Sequence, residues 1–155
     1  MSFIVLAFLI GGVAGLRALT AAALASWAVR IRLLTLDGSW LAFLGYAWTP
    51  WILTLFALCE MVNDKLPQTP SRKTPPQFAA RILMGAFAGA AIGTSAGSML
   101  GGAIAGALGA VAGTFAGAEV RSRLADAIGG KDLPVALLED ATAILCGIFV
   151  LKSLS

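Results

Sequence analysis

Four carboxylates lie within apolar stretches of this sequence, where a helix in a membrane would normally carry none. Glu60 and Asp64 lie near the end of one apolar segment, and Glu139 and Asp140 lie inside another. A charged group in the bilayer costs roughly 3 kcal/mol or more, so such residues usually serve a transport pathway, a proton relay or a specific ion pair. These four acids are therefore candidate ion- or substrate-binding residues.

Two arginines within apolar segments are the candidate partners of these acids. Glu60 and Asp64 are four residues apart, so they share one helix face and repel each other unless a cation lies between them. Arg17 and Arg81 are candidate site residues because they can supply that charge, as can Lys65 or a transported ion. We expect the four acids to line one polar pocket facing the cytoplasm, where at least one is protonated or holds a cation.

The composition predicts an all-α integral membrane protein. Hydrophobic residues make up 59% of the chain and charged residues only 12%, whereas soluble domains carry about 25% charged residues. The apolar residues also fall into blocks near the roughly 20 residues that a membrane-spanning helix needs. We therefore predict one transmembrane domain over residues 1–155, with the lipid bilayer as its surroundings.

The apolar blocks predict a helical bundle of about five spans. The first contains Gly11, Gly12 and Arg17, so a single tilted helix and a broken or re-entrant helix with its break at Arg17 are both open. No basic residue precedes this segment, so we expect it to be retained rather than cleaved as a signal peptide. The predicted spans are at about 3–29, 48–66, 79–96, 99–120 and 133–152.

Glycine recurs at every fourth position in the third and fourth predicted spans. This spacing places small residues on one helix face and lets two backbones approach closely. It predicts a glycine-zipper hairpin that turns within residues 94–102. Because five helices can cover few such faces, we also expect a homo-oligomer, with a dimer favoured. The residues predicted to pack helices are Gly85, Gly89, Gly93, Gly97, Gly106 and Gly113.

The basic residues predict the orientation in the membrane. With five spans, the loops at 63–80 and 121–133 and their flanks lie on one side with the N-terminus, and that side should be cytoplasmic. If the first segment is re-entrant, the N-terminus changes sides and the remaining assignment stands. The predicted cytoplasmic residues are Lys65, Arg72, Lys73, Arg81, Arg121, Arg123 and Lys131, against Arg30, Arg32 and Lys152 on the other side.

The sequence argues against several other classes of function. It has no histidine, and Cys59 and Cys146 do not form a CxxC motif, so we expect two small buried side chains and neither a zinc site nor a disulfide. No phosphate-binding loop or nucleophile elbow suggests an enzyme or a cofactor. The net charge of +3 comes from residues at segment ends, so we expect no nucleic-acid partner.

Three motifs resemble those of a family of small bacterial inner-membrane proteins known only as a domain of unknown function. They are GLRAL at 15–19, EMVNDKLPQTPSR at 60–72 and LPVALLEDATAIL at 133–145. The family shows a GLR element, an E-x-V-x-D-K-x-P element and a late L-E-D element in this order. This sequence departs from it in a short proline-rich loop after Pro67 and in its glycine-rich third and fourth spans.

The resemblance implies a multi-pass helical protein of the bacterial inner membrane, but no activity. The residues that it places on the family's motif positions are Arg17, Glu60, Asp64, Lys65, Pro67, Glu139 and Asp140.

Two functions fit these observations. The first is a small membrane transporter or channel-like protein, which moves a small solute or ion through a buried acidic and arginine-containing pocket. The alternative is a structural membrane scaffold or assembly factor whose intramembrane charges form internal ion pairs. Separate neutralisation of Glu139 and Asp140 distinguishes them, because a transporter should keep its fold and lose flux, whereas a scaffold should lose stability.

Overall fold

A computed structural model describes residues 1–68 and 70–155, and every regular element in these residues is helical. The described part contains six α-helices and one short 3₁₀ helix, so the all-α prediction is confirmed. The helices are α1 Phe3–Leu16, α2 Ala18–Arg30, the 3₁₀ helix Trp40–Gly45, α3 Thr49–Asn63, α4 Pro75–Ser95, α5 Met99–Ala127 and α6 Asp132–Leu154.

Three of these helices, rather than the predicted five, are long and apolar enough to cross a membrane. They are α4, α5 and α6, with 21, 29 and 23 residues. The helices α1, α2 and α3 are apolar but have only 14, 13 and 15 residues. At 1.5 Å per residue each is about 20 Å long, which is shorter than the roughly 30 Å hydrocarbon core.

The first apolar segment is broken at Arg17, so the interpretation as one tilted helix over 3–29 is wrong. The backbone of Arg17 is extended, with φ −142° and ψ 102°, and this single residue separates α1 from α2. Its own N–H still bonds to the carbonyl of Val13. The extended conformation interrupts the hydrogen-bond ladder immediately after it.

The helix α1 lies along α5 and runs in the same direction. Ile4 lies beside Gly101, and Gly15 near the other end of α1 lies beside Ala110 and Thr114. The N-terminus is therefore close to the turn between α4 and α5, and Arg17 lies towards the opposite end of the bundle.

The helix α2 returns along α3, so that α1 and α2 form a helical hairpin with Arg17 at its tip. The first residues of α2 contact Glu60 near the end of α3. Further along, the indole Nε1–H of Trp27 donates to the hydroxyl of Thr54 at 3.0 Å. These contacts make α2 and α3 antiparallel and bring the end of α2 back to the N-terminal end of the bundle.

The segment between α2 and α3 closes that end of the bundle. The backbone N–H of Thr35 donates to the hydroxyl of Ser95 beside the α4–α5 turn, at 3.2 Å. Four leucines of the segment are buried and anchor it to the core: Leu34, Leu36, Leu41 and Leu44.

Glycines bring α4 and α5 into backbone contact, and the turn between them lies at residues 96–98, within the predicted stretch. A Cβ atom on Gly85 or Gly89 would overlap the backbone of α5, at Gly106 and Gly102 respectively. Gly97 was predicted to pack helices, but it is exposed in the turn with φ +78° and has nothing near its Cβ position. Its role is to permit the left-handed turn conformation.

The helix α1 covers a second glycine face of α5. A Cβ atom on Gly11 would overlap the backbone of Gly106, and one on Gly113 would overlap Gly12. These glycine faces of α5 are therefore covered within one chain, which removes the packing argument for a dimer. Cys59 and Cys146 were expected to be buried, but both are exposed.

Candidate functional site

Arg17 lies at the centre of a charged cluster at the tip of the α1–α2 hairpin, and its side chain is fully buried. Its Nε donates to Oδ1 of Asp140 at 2.5 Å. The terminal nitrogens lie 2.8 Å from Oδ2 of Asp64 and 3.9 Å from Oε2 of Glu139. The NH1 contact is close and charge-assisted, whereas NH2 has no hydrogen-bond partner within the described residues.

Two further cations hold the same acids from the side of the loop after α3. Lys65 Nζ donates to Asp140 and to the carbonyl of Met61, the latter at 2.9 Å. Arg72 comes from the proline-rich loop after Pro67. Its side chain is buried against Glu139 and donates through both terminal nitrogens, one of them at 2.8 Å.

Arg121 of α5 joins the inner acids to the surface. Its NH1 donates to Asp64 at 2.7 Å and to Glu139 at 3.2 Å. Its Nε donates to Asp132 at 2.8 Å, and its other terminal nitrogen also donates to Asp132. The side chain of Asp132 is 56% exposed, so this outer contact is the one most open to exchange.

The charges in this network balance. Four cations meet four carboxylates, and a buried ion pair is tolerated only when its charges are compensated in this way. The count of charges therefore does not by itself require a protonated acid or a bound cation. We call the set the Arg17 network: Arg17, Lys65, Arg72, Arg121, Asp64, Asp132, Glu139 and Asp140.

Glu60 lies apart from the Arg17 network and binds the start of α2. Its two carboxylate oxygens accept hydrogen bonds from the N–H groups of Ala18 and Leu19, at 3.0 and 2.8 Å. These donors have no partner within their own helix, because the helix begins there. A carboxylate at this position also meets the positive end of the α2 dipole.

Arg81 has the complementary position at the end of α1. Its NH1 donates to the carbonyls of Gly15 and Leu16, at 2.8 and 2.6 Å, and the hydroxyl of Thr114 donates to Gly15 at 3.3 Å. A cation therefore meets the negative end of the α1 dipole. Together, Glu60 and Arg81 bond to four of the backbone groups that the break exposes.

A polar cleft of about 580 Å³ lies on the outer side of the Arg17 network and is lined by several of its residues. Asp64, Lys65, Arg72 and Arg121 line its inner wall, and Asp132 lies at its surface side. Of the four acids predicted to share a pocket, three meet at Arg17 and only Asp64 lines this cleft. Glu60 binds the α2 backbone instead, and the predicted counter-charge Arg81 binds carbonyls rather than the acids.

Sequence reasoning did not select Arg72, Arg121 or Asp132 as site residues. Arg121 and Arg72 were named only among the basic residues predicted to lie on the cytoplasmic side. Nothing in the local sequence indicates that Arg72 reaches Glu139 across 67 positions of the chain. In the described part of the chain, no three His, Cys, Asp or Glu side chains are grouped so that they could hold a metal ion.

Comparison with known proteins gives no relative for this arrangement: no family model, curated protein or solved structure matches the chain.

Proposed function

We propose that this chain is a small transporter or channel-like protein of the bacterial inner membrane, moving a small solute or ion past the Arg17 network. The observation that carries the proposal is that the buried side chain of Arg17 has a donor without a hydrogen-bond partner. This guanidinium is fully buried at the tip of a broken helix, and its NH2 nitrogen has no hydrogen-bond partner within the described residues. Unsatisfied buried donors are costly, so the site suits a water molecule or a polar solute that supplies acceptors.

The proposed topology treats α1 and α2 as a re-entrant hairpin. Both helices begin or end beside the α4–α5 turn, and their shared tip lies near the cleft. The helices α4, α5 and α6 then cross the membrane around this hairpin, with α4 and α5 forming the glycine zipper onto which α1 packs. The shorter α3 crosses together with its flanking residues over the predicted span 48–66. Transporters commonly place such discontinuous helices at their solute and ion sites.

The cleft faces the cytoplasm in this proposal. It lies with the loops that carry seven of the ten basic residues counted at the span ends, and such loops remain on the cytoplasmic side. The N-terminus then lies on the other side, with the segment between α2 and α3.

The network supplies the proposed gate. Asp64 holds both Arg17 and Arg121, and Asp140 holds both Arg17 and Lys65. A proton or metal cation that reaches either acid weakens its attraction for the basic side chains. Arg121 and Lys65, which line the cleft, can then separate from the inner acids and open a path to Arg17.

A structural scaffold or assembly factor is the second candidate. The balance of four cations and four acids favours it, because a closed network of this kind fixes the relative positions of α3, α5, α6 and the hairpin tip. A homo-oligomer, with a dimer favoured, remains part of both proposals. It would form through the exposed apolar helix faces, since α1 covers the glycine face of α5.

Flux measurements in proteoliposomes test the transporter proposal. The purified chain is reconstituted with an internal pH dye, and proton and sodium fluxes are measured under imposed gradients. We expect Asp64→Asn and Glu139→Gln to reduce flux by about tenfold or more, while gel filtration shows the folded protein unchanged. Glu119→Gln is the matched control, because Glu119 is exposed and, among the described residues, its ion pair is with Arg123 of the same helix.

The two candidate functions give different results in this experiment. Flux that is unchanged in both variants contradicts the transporter proposal. Loss of the folded oligomer in both variants, with wild-type flux no greater than that of empty liposomes, favours the scaffold.

A further inference from the structure

An apolar groove runs along α5 towards the Arg17 network, on the face where α5 and α6 diverge. Its wider part is a cavity of about 550 Å³ between α1, α5 and α6. Gly109, Gly113 and Ala116 of α5 line its floor, and Phe8, Leu145 and Phe149 form its rim. The three rim residues are exposed, so the groove opens outward to the surroundings of the bundle.

The groove continues into the charged region. Leu16, Ala116 and Gly117 line both the wide cavity and a second cavity of about 240 Å³ further along α5. Arg121 lines this second cavity and also the polar cleft. One continuous surface therefore leads from apolar side chains to the guanidinium of Arg121, beside which Glu139 also lines the second cavity.

The dimensions match one leaflet of a bilayer. From Gly109 to Arg121, α5 rises about 18 Å at 1.5 Å per residue. Half of the hydrocarbon core is about 15 Å. An acyl chain that lies along this stretch therefore places the headgroup of its lipid beside Arg121.

The acids of the Arg17 network balance the basic side chains at that end, so an anion binds there by exchange with one of those acids. Three cations and two carboxylates line the polar cleft, namely Lys65, Arg72, Arg121, Asp64 and Asp132. The exposed Asp132 occupies the fork of Arg121 with a bidentate contact. A phosphate group has the geometry to replace a carboxylate in such a fork.

We propose that this groove binds an anionic glycerophospholipid, with an acyl chain along Gly109 and Gly113 and its phosphate on Arg121 in place of Asp132. The site is independent of any transported solute. One lipid from the leaflet on the cleft side then binds to each chain. Its phosphate competes with Asp132 for Arg121, which is the outermost ion pair of the Arg17 network.

Native mass spectrometry in detergent tests the proposal with phosphatidylglycerol as the probe. We expect one phosphatidylglycerol per chain to bind at least about fivefold more tightly than phosphatidylcholine, since phosphatidylcholine carries no net negative charge. Ala116→Phe should abolish this selective binding, because Ala116 is exposed and lines both cavities. Soluble glycerol phosphate should not compete, because it lacks the acyl chain.

A second variant tests the headgroup contact by an expected increase in affinity rather than a loss. Asp132→Asn removes the carboxylate that competes for Arg121 and should raise the affinity for phosphatidylglycerol by up to about fivefold, the range of an exposed ion pair. Asp126→Asn is the control, since Asp126 is an exposed acid near the end of α5 that does not line the groove.

Three outcomes overturn the proposal. Equal binding of both lipids, unaffected by Ala116→Phe and Asp132→Asn, shows non-selective lipid contact. Competition by glycerol phosphate shows that the cleft binds phosphate without the groove. A dimer that is lost with Ala116→Phe, without selective lipid binding, shows that the groove is covered by a second copy of the chain.

Discussion

Glu60 and Arg81 show how single side chains make a broken helix stable in an apolar setting. Each meets the helix end whose backbone charge is opposite to its own, and each replaces hydrogen bonds that the break removes. A neutral side chain would satisfy fewer of these groups. The two residues therefore act as caps for the hairpin tip, next to the network rather than within it.

Glu60→Gln should destabilise the protein more than a surface charge change does. Glutamine retains one acceptor oxygen but loses the charge and the second acceptor, so one N–H of α2 loses its partner. We expect a loss of about 1–2 kcal/mol in the free energy of unfolding, measured by denaturant titration in detergent.

Glu119→Gln is again the control, because its ion pair with Arg123 is exposed and within one helix. Such pairs contribute less than about 0.5 kcal/mol. Equal destabilisation by the two changes would contradict the capping role of Glu60.

The residue types of the site could be predicted from the sequence, but their pairings could not. Charged residues in apolar segments pointed to Arg17, Asp64, Glu139 and Asp140, which meet in the structure. Arg81 was assigned to the same acids, yet it binds the end of α1. Its partner depends on where the α1 helix ends, and that follows from one extended residue rather than from any periodic pattern.

At the scale of elements, glycine spacing determines how closely the helices approach. The four-residue spacing predicted that α4 and α5 pack tightly, and their backbones do meet at Gly85, Gly89, Gly102 and Gly106. The spacing could not show what covers the remaining face, since α1 and a second protein chain would require the same small residues.

Adjacent glycines in α1 give a matched test of this packing. A Cβ atom at Gly11 would overlap the backbone of Gly106, whereas one at Gly12 would lie 3.9 Å from the nearest atom, the carbonyl oxygen of Gly109. We expect Gly11→Ala to cost about 1–3 kcal/mol of stability through overpacking. Gly12→Ala should be neutral or slightly stabilising, because alanine favours the helix.

Thermal unfolding of both variants in the same detergent measures this difference. If Gly11→Ala is as stable as Gly12→Ala, then α1 does not pack on α5 as the structure has it.

At the scale of the whole molecule, the direction of α1 decides which side of a membrane would hold the N-terminus in the proposed topology. Counting basic residues could not settle this, because Phe3–Leu16 contains none and the rule depends on flanking charge. Hydropathy also could not settle it, since a broken span and a re-entrant hairpin have the same composition. Only the side-by-side contacts of α1 with α5 distinguish the two.

Cysteine labelling tests the resulting topology. With Cys59 and Cys146 replaced by alanine, single cysteines are introduced at Ser2, Asp37 and Ser122, which are all exposed. A membrane-impermeant maleimide applied to oriented vesicles should modify Ser2→Cys and Asp37→Cys from one side and Ser122→Cys from the other. Modification of Ser2→Cys together with Ser122→Cys would show that α1 and α2 form a complete crossing instead.

The position of Arg17 also constrains the order in which the chain is assembled during synthesis. Its hydrogen-bond partner Asp140 lies 123 positions later in the chain, so Arg17 leaves the ribosome long before α6 exists. Until then its guanidinium has no buried acid from α6 and is best left in water or among lipid headgroups. If the hairpin lies in a membrane as proposed, we therefore expect its first two helices to be among the last to reach their final depth, after the C-terminal helix has been made.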